Sequence, residues 1–187
     1  MPQVSIIMPV YNCENYGTVK GTSQIGGIAG VASNTVEGCT NYGRVESTSY
    51  IVGGIAGNSL KLIENCVNEG TIIGKGNIGG IAGNAINKVI NCKNTGEING
   101  SVDIIGGIVG VNPLEENVFQ ELIIENSINE GKITGKKSGG IIGKSYDAII
   151  KECVNKGEIT GAGVIGGIAG GLLSGGGGAA DMVLNEK

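Results

Sequence analysis

Apolar residues come in short bursts along this 187-residue chain. Runs of aliphatic residues, rich in Val and Ile, alternate with Gly and Asn, as in KLIENCVNEGTIIGKGNIGGIAGN. That pattern predicts short strands joined by tight turns. Helix is poorly served, because glycine recurs every few residues and costs about 1 kcal/mol at each interior helical position.

The bursts repeat. Aligning on Cys-x-Asn-x-Gly gives six copies: CENYG at 13–17, CTNYG at 39–43, CVNEG at 66–70, CKNTG at 92–96, SINEG at 127–131 and CVNKG at 153–157. Two positions after each glycine stands an aliphatic residue: Val19, Val45, Ile72, Ile98, Ile133 and Ile159. A second block follows in every copy, IGGIAG at 25–30, VGGIAG at 52–57, IGGIAG at 78–83, IGGIVG at 105–110, SGGIIG at 138–143 and IGGIAG at 165–170. Three residues before the Cys position lies another aliphatic: Val10, Val36, Ile63, Val89, Ile124 and Ile150. The copies start 26, 27, 26, 35 and 26 residues apart.

A composite pattern with this period marks a solenoid. The expected fold is all-β: a parallel β-helix of about six rungs, right-handed favoured, with three short strands per rung. One strand ends at the Cys, one surrounds Gly-x-(Val/Ile), and one lies at IGGIAG. Stacked at roughly 4.8 Å, equivalent residues of successive rungs would form ladders. One rung cannot stand alone, since stability arises only as neighbours share core and hydrogen bonds. The sequence leaves open which face of IGGIAG turns inward, because Ile25 and Ile28 would fall on opposite sides of a straight strand. The chain divides into a leading strand or cap (1–12), the repeat array (13–170, with an insertion at about 111–121) and a glycine-rich tail (171–187).

Composition narrows the chemistry. There are 37 glycines, one Phe, no Trp and no His, so aliphatic residues must build the core. A net charge of −4 points to neither nucleic acid nor an anionic membrane surface. No apolar run is long enough for a spanning helix, and the first residues do not form a signal peptide. The glycines are expected at corners needing positive φ or at inward sites too tight for a Cβ. GGIAG lacks the Lys-Ser/Thr and the helix that a phosphate-binding loop requires.

The candidate site residues are themselves repeat positions. Cys13, Cys39, Cys66, Cys92 and Cys153, with Ser127 at the sixth site, are spaced like one internal thiol column rather than like metal-binding pairs. Asn15, Asn41, Asn68, Asn94, Asn129 and Asn155 are expected to form an amide ladder at a corner. Tyr16 and Tyr42 should stack across two rungs, and Glu97, Lys132 and Glu158 should decorate a solvated face. The insertion carries Pro113, Glu115, Glu116 and Phe119, a candidate binding loop. No cofactor or metal is expected.

The combined motif, Cys-x-Asn-x-Gly-x-Ile with (Ile/Val)-Gly-Gly-Ile-x-Gly, resembles the GLUG-type repeats of bacterial surface proteins. Such repeats occur in adhesin-like proteins and in non-catalytic regions of IgA-cleaving metallopeptidases. The resemblance covers residues 13–170 and implies a cell-surface or secreted, non-enzymatic module: a stiff spacer or adhesin-like stalk that binds host glycan or extracellular protein. The peptidase's zinc-binding HExxH has no counterpart in a chain without His.

A second resemblance competes at the start. VSIIMPVYN, residues 4–12, looks like the first strand of the family 2 glycosyltransferases, which implies a glycosyltransferase-like protein, truncated or fused. That chemistry needs paired carboxylates for metal and nucleotide diphosphate, and the aspartates here, Asp103, Asp147 and Asp181, are isolated. Val10 and Asn12 fit the repeat register instead, which makes the opening the first rung's leading strand. The repeat dissolves after Gly170 with no capping helix, so a fragment of a longer array, or end-to-end self-association, is expected.

Overall fold

The structure, a computed structural model, describes residues 9–48, 50–101, 104–113 and 121–172. It is a parallel β-solenoid of six turns with no helix among the described residues. Within those residues five sheets each contain six parallel strands, one strand from every turn. In the third turn these strands are Leu62–Glu64, Val67–Asn68, Ile72–Gly74, Asn77–Gly79 and Ala82–Ala85. They are called the first to fifth sheets here.

The register places like over like. Val10, Val36, Ile63, Val89, Ile124 and Ile150 pair in sequence through the first sheet. The six asparagines do so through the second sheet, and Val19, Val45, Ile72, Ile98, Ile133 and Ile159 through the third. Val10–Tyr11 thus pairs with Val36–Glu37 as the leading strand of the first turn. Residues 1–8 and the tail beyond 172 lie outside the described residues.

Five strands per turn replace the expected three, for two local reasons. The residue before the Cys position is left-handed: Asn12, Asn65, Asn91, Asn126 and Glu152 have φ between 48° and 54°, and Gly38 has φ 64°. Asparagine tolerates that conformation better than most residues, and it separates the first strand from the second. The Gly-Gly pair then bends the chain between the fourth and fifth sheets.

That bend also settles the orientation of IGGIAG. Val52, Ile78 and Ile105 enter one core with Val45, Ile72, Ile98 and Ile133. Ile55, Ile81, Ile108 and Ile141 enter another with Val36, Ile63, Val89, Ile124 and the buried cysteines. Both isoleucines of the block face inward because they lie on different strands. Full burial of a side chain of this size contributes roughly 1.5–3 kcal/mol, so each turn adds to both cores.

Candidate functional site

The cysteines form one column along the first core. Cys39, Cys66, Cys92 and Cys153 are buried and free, whereas Cys13 is exposed, which corrects the expectation that all five thiols are hidden. Cys13 belongs to the first turn, whose flanking residues are themselves exposed. Each thiol donates to the carbonyl two residues back, as Cys66 Sγ does to Glu64 O at 3.2 Å. The sulfur also accepts from the backbone of the turn before, Cys39 N donating to Cys66 Sγ at 3.4 Å. Ser127 performs both tasks, donating to Glu125 O at 2.9 Å and accepting from Cys92 N at 3.2 Å. Burial raises the pKa of Cys39, pushes Cys92 well above its ordinary value and brings Cys153 up to about 11, whereas hydrogen bonding with Cys92 lowers that of Cys66.

The asparagines hydrogen-bond to one another through the protein. Nδ2 of Asn15, Asn41, Asn68, Asn94 and Asn129 donates to Oδ1 of the next asparagine at 2.7–2.8 Å. The same nitrogen donates to the carbonyl of the glycine two residues on, as Asn68 does to Gly70 O at 2.9 Å. Asn41, Asn68, Asn94 and Asn129 are completely buried. The amides lie flat against the Gly-Gly bend, where a Cβ on Gly54 would meet Asn68 Cγ at 2.3 Å and Gly80 O at 2.2 Å. Glycine is demanded there by close approach, not by φ. The ladder therefore runs along the seam between the two cores, and Cys-x-Asn-x-Gly and Gly-Gly-Ile are two sides of one packing solution.

The outer face is different. Lys93 and Lys156 flank Glu130 at 2.8 and 3.2 Å, Lys132 meets Glu158 at 3.0 Å, and Lys151 meets Glu125 at 3.0 Å. The two lysines lower the Glu130 pKa. Tyr16 and Tyr42 stack with ring centroids 4.7 Å apart. Of the insertion, Pro113 is half-buried, while Glu115, Glu116 and Phe119 lie outside the described residues. Its entry point is anchored by buried Asn112, which the repeat pattern does not single out: Nδ2 donates to Ala85 O at 3.3 Å and Oδ1 accepts from Asp147 N at 3.1 Å.

A groove runs along the corner between the third and fourth sheets. Two adjoining hollows of about 340 and 280 Å³ share Gly100, Ser101 and Thr134. Outward side chains of the third sheet, Ile73, Asn99 and Thr134, form one bank, and the corner residues Lys75, Ser101 and Lys136 form the other. The floor is glycine. A Cβ on Gly100 or Gly135 would point down into Ile105 Cδ1, at 2.5 and 2.1 Å, so the second core rises directly under the backbone. No repeated motif residue other than this glycine reaches the groove, which is why alignment of the repeats does not reveal it.

Comparison with known proteins locates the fold. No protein-family model and no curated protein sequence matches the chain. Among solved structures, it is similar to a protein from Bacteroides ovatus described as a "putative immunoglobulin A1 protease", with a TM-score of 0.62 at 18% identity, over 90% of this chain and 67% of that one. At that identity the likeness is one of fold. No helix among the described residues is long and apolar enough to cross a membrane.

Proposed function

We propose that the chain is a non-catalytic repeat module of a bacterial cell-surface or secreted protein, a stiff spacer that also adheres through its outer faces. One observation carries this reading: the residues that define the repeat are spent on internal stacking. Cysteine, asparagine and glycine satisfy one another between turns, leaving the outward columns free to vary. A surface that varies over a fixed frame suits recognition. The GLUG-like motif and the likeness to the Bacteroides ovatus structure support a role beside such enzymes rather than as the enzyme, since a zinc peptidase's HExxH cannot be drawn from a chain without His.

The test is a binding screen of the purified chain against a glycan array and a panel of host extracellular proteins, with immunoglobulin A hydrolysis and nucleotide-sugar turnover assayed beside it. Selective, saturable binding without turnover is expected. Cleavage of immunoglobulin A, sugar transfer, or binding to nothing on either panel would overturn the reading.

A further inference from the structure

We infer that the groove between the third and fourth sheets is a binding track for a linear acidic glycan laid along the solenoid axis. Lys75 and Lys136 would meet acid groups on alternate sugars. This inference rests on the adhesive-module reading and names its surface and ligand class.

Charge comes first. The groove is lined by hydroxyl, amide and backbone groups, two lysines, Ile73 and Ala162, with no carboxylate among the described lining residues. Outside the groove, Lys20, Lys93, Lys132, Lys151 and Lys156 each hold an ion pair, whereas Lys61, Lys88, Lys137 and Lys144 hold none among the described residues and stand in or beside the first, fourth and fifth sheets rather than along one trough. Lys75 and Lys136 are exposed and have no ion pair among the described residues. Two cations with no carboxylate beside them among the described lining residues attract an anion.

Spacing comes second. Lys75 follows Gly74 in the third turn and Lys136 follows Gly135 in the fifth, so the two stand at the same corner two turns apart. At about 4.8 Å per turn their stems are separated by roughly 10 Å along the axis. An extended chain of pyranose rings advances by about one turn of this solenoid per sugar. Successive sugars would therefore meet successive turns, with Asn99 and Ser101 offered by the fourth turn and Thr134 by the fifth, and every second sugar would meet a lysine. A glycan with one acid per disaccharide fits that period.

Shape comes third. The groove is open and shallow, as a flat polymer requires, and its floor is backbone, the glycines having no Cβ because that position faces the second core. An acidic peptide is less well served. Both flanking sheets already pair each interior strand with the turns above and below, as Ile72–Gly74 pairs with Val45–Ser47 and Ile98–Gly100, so among the described residues no strand edge opens into the groove for a peptide backbone.

The experiment titrates the purified chain with a hyaluronan hexasaccharide, with uncharged chitohexaose, and with a poly-glutamate peptide, at low and high salt. Variants are Lys75→Gln/Lys136→Gln in the groove and Lys61→Gln/Lys88→Gln where strands of the first sheet begin, each first shown to keep the parent's β spectrum. Hyaluronan binding should be salt-sensitive and roughly tenfold weaker in the groove variant, consistent with two solvent-screened charge contacts. The control variant should match the parent, and chitohexaose should bind roughly tenfold less tightly than hyaluronan. Poly-glutamate binding as tightly, with the same loss in the groove variant, would make the site one for acidic peptide and overturn the assignment. No hyaluronan binding, or binding untouched by the groove variant, also overturns it. Either result leaves the adhesive reading to stand or fall on its own array screen.

Discussion

At the asparagine column all six turns carry the same residue. One corner further along, the same turns carry Thr22, Thr48, Lys75, Ser101, Lys136 and Ala162. The stretch that follows this corner varies in length too: Val52 lies four positions after Thr48, Ile78 three after Lys75 and Ser138 two after Lys136. The contrast follows from what each position touches. A buried amide must both donate and accept between turns, and only a side chain with both groups at one reach can continue the chain. The corner touches solvent on one side, so neither its residue type nor its length is constrained by the turn above. Uniformity inside and variety outside are the same stacking rule seen from two directions.

The largest effects should come from breaking the uniform columns. Cys66→Arg should abolish folding, because an unpaired charge would enter the first core, and no cooperative unfolding transition should be seen by circular dichroism. Cys66→Ser should stay within about 1 kcal/mol of the parent, since a hydroxyl can fill both hydrogen-bonding roles.

Asn68→Ala comes next. It would strip a donor from Asn94 Oδ1, an acceptor from Asn41 Nδ2 and a donor from Gly70 O, all buried. Urea denaturation should show a loss of about 2–4 kcal/mol. Asn68→Asp sharpens the point. Its carboxylate can only accept, and burial among acceptors raises its pKa in the folded state. The folded protein then holds the proton longer than the unfolded chain, so the variant should weaken further as pH rises above the ordinary carboxylate range.

The thiols supply a natural version of that experiment at higher pH. Cys153 is raised from 9.0 to about 11, so its contribution is full below 9.0 and is lost as pH climbs through about 11. The urea midpoint should fall over that window, and Cys153→Ser should flatten the decline. At pH 8 a thiol reagent should label Cys13 first, because it alone of the five is exposed. Equal labelling of Cys92 would contradict the buried column.

Smaller effects should appear where a turn departs from its own column. Ser138 stands in the isoleucine column of the second core, fully buried, with no hydrogen-bond partner for its hydroxyl among the described residues. Ser138→Ala should raise stability by about 1 kcal/mol. Glu152 holds the left-handed corner that asparagine fills in four other turns, and Glu152→Asn should gain about 0.5–1 kcal/mol. Smallest of all, Lys75→Gln should leave the unfolding midpoint unchanged to within about 0.5 kcal/mol, as exposed substitutions usually do.

These departures mark how far the sequence could be read. The solenoid and its columns were legible because the aliphatic, cysteine and asparagine positions recur in one register, and that register is the pairing observed from Val10 to Ile150. The number of strands was not, because a left-handed Asn65 and a bend at Gly53–Gly54 interrupt hydrophobic runs that look continuous in one dimension. Alignment could place the asparagines at equivalent positions but not show that they divide two cores. The groove was hidden altogether, since it consists of residues that differ between turns and of glycines whose missing side chains leave no signature of what stands beside them.

The asparagine column has one further property. Every side-chain amide in it points the same way, its nitrogen toward the turn that follows. Their dipoles add instead of cancelling, and each polarises the next. The solenoid is thereby given an electrical sense along its axis, with carbonyl oxygen leading at Asn15 and amide hydrogen at Asn155. Two such stacks meeting in opposite senses would set like poles together, whereas a meeting in the same sense matches donor to acceptor. A residue that repeats without change thus encodes direction as well as position.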